Sequence, residues 1–113
     1  MAQTLNYAQV LGTSSLSTYA TLYGSPSSPV AKEAVVSSIV VCNTSGLPVT
    51  YRIALMATEG TPTTQQFIVY DQIIQPNFTV GLTLGIAMSS GKFLRISSSA
   101  ATLAFQAYVS EVF

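Results

Sequence analysis

The side chains able to do chemistry in this 113-residue chain are few. Histidine is absent, which removes the commonest general base and with it the Ser-His-Asp and Cys-His arrangements. A structural zinc is excluded by one cysteine and no histidine, and the scattered carboxylates form no calcium loop. Those carboxylates are Glu33, Glu59, Asp71 and Glu111. Glycoside hydrolysis would need two of them brought face to face across a substrate. Three of the four sit beside turn signals or at the chain end, where solvated surface charge is the simpler reading. The run Gly81-Leu82-Thr83-Leu84-Gly85 lies within a strand-like alternation and opens no helix, so it is no phosphate cradle. Cys42 ends an apolar run with no basic neighbour in sequence, which predicts a small buried hydrophobe and not a reactive thiol. The residues therefore point away from an enzyme, and no cofactor or metal is expected.

Charge narrows the field further. Lys32, Arg52, Lys92 and Arg95 balance the four carboxylates, giving a formal net charge of zero. A nucleic-acid binder needs a basic stripe to displace counterions from phosphate, and this chain has none. With 7% charged residues, its polarity comes from serine, threonine, asparagine and glutamine instead. Freely diffusing domains usually carry more charge than that, so the composition suits a subunit held in a larger assembly. No apolar run approaches the length of a membrane helix; the richest, residues 35–42, is broken by Ser37 and Ser38. The first residues lack the basic and apolar regions of a secretory signal, and the expectation is a protein made in the cytoplasm.

The elements that must position these residues are strands. Val49, Tyr51, Ile53 and Leu55 alternate with Thr50, Arg52, Ala54 and Met56. Phe78, Val80, Leu82 and Leu84 alternate with Thr79, Gly81 and Thr83, and Leu103, Phe105, Ala107 and Val109 with Ala104, Gln106, Tyr108 and Ser110. A period of two in β-branched and aromatic residues marks strands with one face on a core. Turn signals arrive at residues 24–29, 43–48, 59–64, 75–77, 89–92 and 97–101, and the segment 43–48 reads as a hairpin connection. The fold class is all-β: a single-domain antiparallel β-sandwich or jelly-roll-like barrel of about eight short strands. Periodicity leaves strand order open, and no α-helix is encoded.

Residues 1–16 form an N-terminal edge strand or assembly arm, and residues 17–113 the β-sandwich domain. The expected core is Val36, Val40, Tyr51, Ile53, Leu55, Val69, Leu82, Leu84, Leu94, Ile96, Leu103 and Phe105. A cross-strand pair of Arg52 with Asp71 would be a structural device. Asn43-Thr44-Ser45 and Asn77-Phe78-Thr79 fit the glycosylation pattern, as chance matches in a chain rich in serine and threonine.

The strand sequences themselves carry a resemblance. The run Ala34-Val35-Val36-Ser37-Ser38-Ile39-Val40-Val41-Cys42-Asn43, then Val49-Thr50-Tyr51-Arg52-Ile53-Ala54, resembles small all-β virion structural proteins of tailed bacteriophages. Thr21-Leu22-Tyr23, Tyr70-Asp71 and the run from Val80 to Ile86 continue the likeness, which covers residues 21–112. The resemblance implies a non-enzymatic capsid decoration (cement) protein that binds the outer shell between capsomers and stabilises it. Its partners would be the major capsid protein and further copies of itself, as a homo-oligomer with a trimer favoured; no nucleic acid, membrane or small-molecule substrate is implied. Localisation would be the virion, assembled in the host cytoplasm. A tail, neck or baseplate accessory that contacts a receptor or glycan is the alternative. The candidate assembly interface comprises Leu5, Tyr7, Val10, Leu11, Tyr19, Tyr23, Pro26 and Pro29.

Overall fold

The computed structural model describes residues 3–24, 33–58, 60–89 and 91–112. Eight strands follow one another: β1 (Gln3–Leu11), β2 (Ala20–Tyr23), β3 (Glu33–Asn43), β4 (Val49–Met56), β5 (Phe67–Ile74), β6 (Thr79–Ser89), β7 (Phe93–Ser98) and β8 (Leu103–Val112). One 3-10 turn, Thr64–Gln66, precedes β5; it is closed by the Thr63 amide donating to the Gln66 side-chain oxygen at 2.9 Å.

The strands build two antiparallel four-stranded sheets, ordered β1-β8-β3-β6 and β2-β7-β4-β5. Among the described strands, β4 and β5 are the only consecutive ones paired with each other; every other described connection carries the chain from one sheet to the opposite one. This alternation is the jelly-roll solution among sandwiches, and it decides the order that periodicity left open. The segment 43–48 is accordingly a corner between sheets and not a hairpin, because β3 pairs with β6 and β8 while β4 pairs with β5 and β7.

Asn43 explains how that corner is held. Its side chain is fully buried. The amide nitrogen donates to the carbonyls of Leu47 at 2.8 Å, Ile74 at 3.2 Å and Gln75 at 3.3 Å. Its oxygen accepts from the Ser45 amide at 3.0 Å and hydroxyl at 2.9 Å. One buried amide therefore ties the β3–β4 corner to the end of β5, where the chain crosses back to β6. With its side chain enclosed, Asn43 is no glycan acceptor.

The core lies between the sheets, centred on Tyr51 and Phe105, whose rings meet edge-on at 5.9 Å. Val36, Tyr51, Ile53, Leu94, Ile96, Leu103 and Phe105 are buried as expected. Val40, Leu55, Val69 and Leu82 are only half-buried, and Leu84 is 41% exposed. Leu55, Val69 and Leu82 still pack against the core, whereas for Val40 and Leu84 the reason is a change of phase. Between Val36 and Ser38 the register of β3 shifts against both neighbours. One extra residue opposite β8 turns Ile39, Val41 and Asn43 inward and sends Val40 and Cys42 to the outer face. Cys42 is thus half-buried on the outer side of the sheet and does not join the core. On β6 the matching irregularity falls at Leu84 and Gly85, and Gly85 has the left-handed φ of 62° that such a bulge asks of a glycine.

Candidate functional site

The first sheet presents an uncharged outer surface. On β1, Ala8 and Val10 pack against the core while Leu5, Tyr7, Gln9 and Leu11 point outward, as alternation requires. Leu5 is 82% exposed, Leu11 65% and Tyr7 63%. Pairing sets Tyr7 opposite Tyr108, Gln9 opposite Gln106 and Leu11 opposite Ala104. The next strand continues these rows with Ser38, Val40 and Cys42, and β6 with Thr83, Gly81 and Thr79. Val35 and Tyr108 are also exposed. Among the described residues the only charge near this surface is Glu33, at the first position of β3. β1 is moreover an edge, with its second side unpaired by any described strand. A long, uncharged edge without proline is the kind of strand that another chain can extend.

The residues expected to form one interface occupy different places. Leu5, Tyr7 and Leu11 share this outer surface, whereas Val10 turns inward and contributes to packing. Tyr23, on β2, sits at the edge of the sandwich, where its hydroxyl donates to the carboxylate of the buried Glu111. Asn6 donates to the other oxygen of Glu111 at 3.3 Å, so this carboxylate joins β1, β2 and β8 across the seam between sheets. Burial and the neighbouring Glu111 carboxylate push the Tyr23 phenol well above its ordinary range. Pro26 and Pro29, with the loop 24–29 beyond Gly24, lie outside the described residues. Tyr108 and Val35 complete the exposed surface but were not singled out in the sequence; their outward phase in β8 and β3 was the available signal.

Tyr19 belongs to a third cluster, on the outer face of the second sheet. Arg52 and Asp71 form the expected cross-strand pair, with Nε 2.6 Å from Oδ1 and Nη2 3.2 Å from Oδ2. The remaining guanidinium nitrogen donates to the Leu16 carbonyl and the Tyr19 hydroxyl, each at 3.3 Å. These bonds, Asp71 first, hold Arg52 cationic at any accessible pH. Its planar face lies 4.4 Å from the Tyr70 ring centroid. Phe67 meets Tyr70 edge-on at 4.8 Å, and Tyr19 lies 6.4 Å from Phe67. Residues three apart in a regular strand would face opposite ways. β5 carries two register shifts against β4, one on either side of Val69, and the one between Phe67 and Val69 puts Phe67 and Tyr70 on one side. Asp71, at the second shift, has a positive φ of 53°, a conformation that a non-glycine residue holds only where its surroundings fix it. Among the described residues this cluster is chemically a stacked, neutralised ion pair. No group of three metal-ligating side chains exists among the described residues.

No protein-family model matches the sequence, and no curated protein matches it. Solved structures share the fold. The chain is similar to a pentameric capsid protein isolated from metagenomic phage sequences, with a TM-score of 0.50 and 12% identity, over 95% of this chain and 61% of that one. It is also similar to a chain of the T13 IBDV viral particle, with a TM-score of 0.53 and 8% identity, over 97% of this chain and 31% of that one. The chain therefore spans about three fifths of the phage protein and under a third of the IBDV chain. At these identities the likeness is one of fold: this jelly roll is of the kind found in viral capsid proteins.

Proposed function

We propose that this chain is a non-enzymatic structural protein of a virion, acting in the capsid through self-association and attachment to the shell. The observation that carries the reading is the uncharged outer surface of the β1-β8-β3-β6 sheet, with Leu5, Tyr7 and Leu11 exposed beside an unpaired edge strand. It is displayed on a jelly roll shared with viral capsid proteins. A surface with these apolar side chains and almost no charge fits burial between subunits, where charged residues are depleted. Two of the chain's carboxylates support the non-enzymatic reading, since Asp71 is engaged by Arg52 and Glu111 by Tyr23 and Asn6.

Within the capsid, the finer reading is decoration: binding on the outer shell between capsomers, with the major capsid protein as partner. A trimer at local threefold positions is the favoured stoichiometry. The phage neighbour is pentameric, which makes fivefold association its competitor. Because β1 is a full member of its sheet and supplies Ala8 and Val10 to the packing, it is the outer face of β1 that is assigned to contact.

The test is the copy number of the chain in purified particles, by quantitative mass spectrometry against the major capsid protein. A ratio near that of the shell subunit supports decoration. A ratio lower by an order of magnitude assigns the chain to the tail, neck or baseplate. Absence from the particle overturns the virion reading. Light scattering of the isolated protein then separates three copies from five.

A further inference from the structure

The aromatic cluster around Arg52 borders an open cavity of about 300 Å³ on the outer face of the second sheet. Tyr19, Phe67 and Tyr70 supply ring surface to its wall, and Ser17, Thr61 and Thr64 supply hydroxyls. Three features define what such a cavity can hold. The rings are fixed in advance: Tyr70 is backed by the Arg52 guanidinium and met edge-on by Phe67, yet remains 60% exposed. Ordering costs on binding are correspondingly small. The charge is cancelled, because among the described residues Arg52 is the only charged one in the lining and Asp71 grips it through both oxygens. Finally, of the five guanidinium N–H donors, four are engaged with Asp71, Leu16 and Tyr19, so little is left to grasp an anion.

A phosphate, sulfate or carboxylate ligand would want an uncompensated cation, and the described lining residues offer none. An entirely apolar ligand would leave the hydroxyl rim unused. A sugar ring matches both halves: one face of C–H groups to lie on an aromatic ring, and a rim of hydroxyls to exchange hydrogen bonds with serine and threonine. We propose that this cavity binds a neutral saccharide, with one ring stacked on Tyr70, framed by Tyr19 and Phe67, and its hydroxyls met by Ser17, Thr61 and Thr64. The positive φ of Asp71 belongs to this arrangement, since the bulge there delivers the carboxylate to the guanidinium that backs Tyr70. The inference is separate from the virion reading, because copy number in a particle has no bearing on it.

The experiment is a titration of the full-length chain with chitotriose and maltotriose as neutral probes and 3′-sialyllactose as an acidic one. Binding is followed by aromatic ring resonances and calorimetry. At least one neutral probe is expected to bind saturably, shifting the rings of Tyr19, Phe67 and Tyr70 and leaving Tyr7 and Tyr108 on the opposite sheet unchanged. Tyr70→Ala is expected to weaken that binding about tenfold or more, and Tyr7→Ala to leave it unaltered. Thr64→Val, which keeps shape and removes a hydroxyl from the exposed turn, is expected to weaken it several-fold with no change in melting temperature. Failure of both neutral probes to saturate overturns the proposal. So does tighter binding of the sialylated probe, or binding that Tyr70→Ala and Thr64→Val both leave intact.

Discussion

Replacing Asn43 by aspartate changes almost no volume and removes the two N–H donors that hold the sheet-changing corners. In the native protein the Asn43 amide faces the carbonyls of Leu47, Ile74 and Gln75. In N43D an oxygen faces them instead. Two donated bonds at about 1 kcal/mol each, plus about 1–3 kcal/mol for a stranded buried carbonyl, predict a loss of about 3–5 kcal/mol. That is a large share of the ~5–15 kcal/mol by which a domain of this kind is stable. The sign of its pH dependence follows from burial. The introduced carboxyl, enclosed among carbonyl oxygens, has its folded-state pKa raised above the unfolded value near 3.9. Protonated, it can donate one bond; ionised, it donates none. The deficit relative to wild type should therefore be smallest near pH 4 and grow as pH rises towards 7. Urea unfolding of both proteins at several pH values, compared at constant m, measures it. A deficit below about 1 kcal/mol at pH 7, or one independent of pH, would refute the assignment of both corners to this amide.

Further outcomes follow from the other clusters. Tyr23 has a folded pKa raised by burial and by Glu111. Its stabilising contribution is complete below the unfolded value near 10 and is lost as pH climbs above it, so Tyr23→Phe should be the less stable protein at pH 7 and show a shallower alkaline decline in melting temperature. Arg52→Ala should cost about 1–2 kcal/mol, since it removes the bonds to Leu16 and Tyr19 and the stacking on Tyr70 as well as the ion pair. Asp71→Asn should cost under about 1 kcal/mol, because the Asp71 side chain is 39% exposed and asparagine tolerates its φ; equal losses in the two variants would contradict this ordering. Leu5→Ser with Leu11→Ser should leave the unfolding free energy within about 0.5 kcal/mol of wild type while reducing self-association and particle binding. Unchanged assembly in light scattering and particle co-sedimentation would remove the outer face of β1 from the interface.

What the sequence determined by itself was set by local physics. Alternation in residues 49–56, 78–84 and 103–110 needs only the pleat of a strand to be read, and the absence of histidine removes histidine-based catalysis wherever the chain folds. The Arg52–Asp71 pair was legible because both residues border strong strand patterns separated by one turn. Tertiary structure decided what a period of two cannot carry. A single extra residue at the Val36–Ser38 bulge exchanged Val40 for Ile39 and Val41 in the core and moved Cys42 outward. The bulge between Phe67 and Val69 in β5 puts Phe67 and Tyr70 on one side, creating a cavity wall from residues whose spacing implies opposite faces. The corner at Asn43 looked like a hairpin because a tight turn between strands is the same locally whether they pair or part. Which of these happens depends on β8 entering between β1 and β3, a pairing between the two ends of the chain that no local pattern encodes.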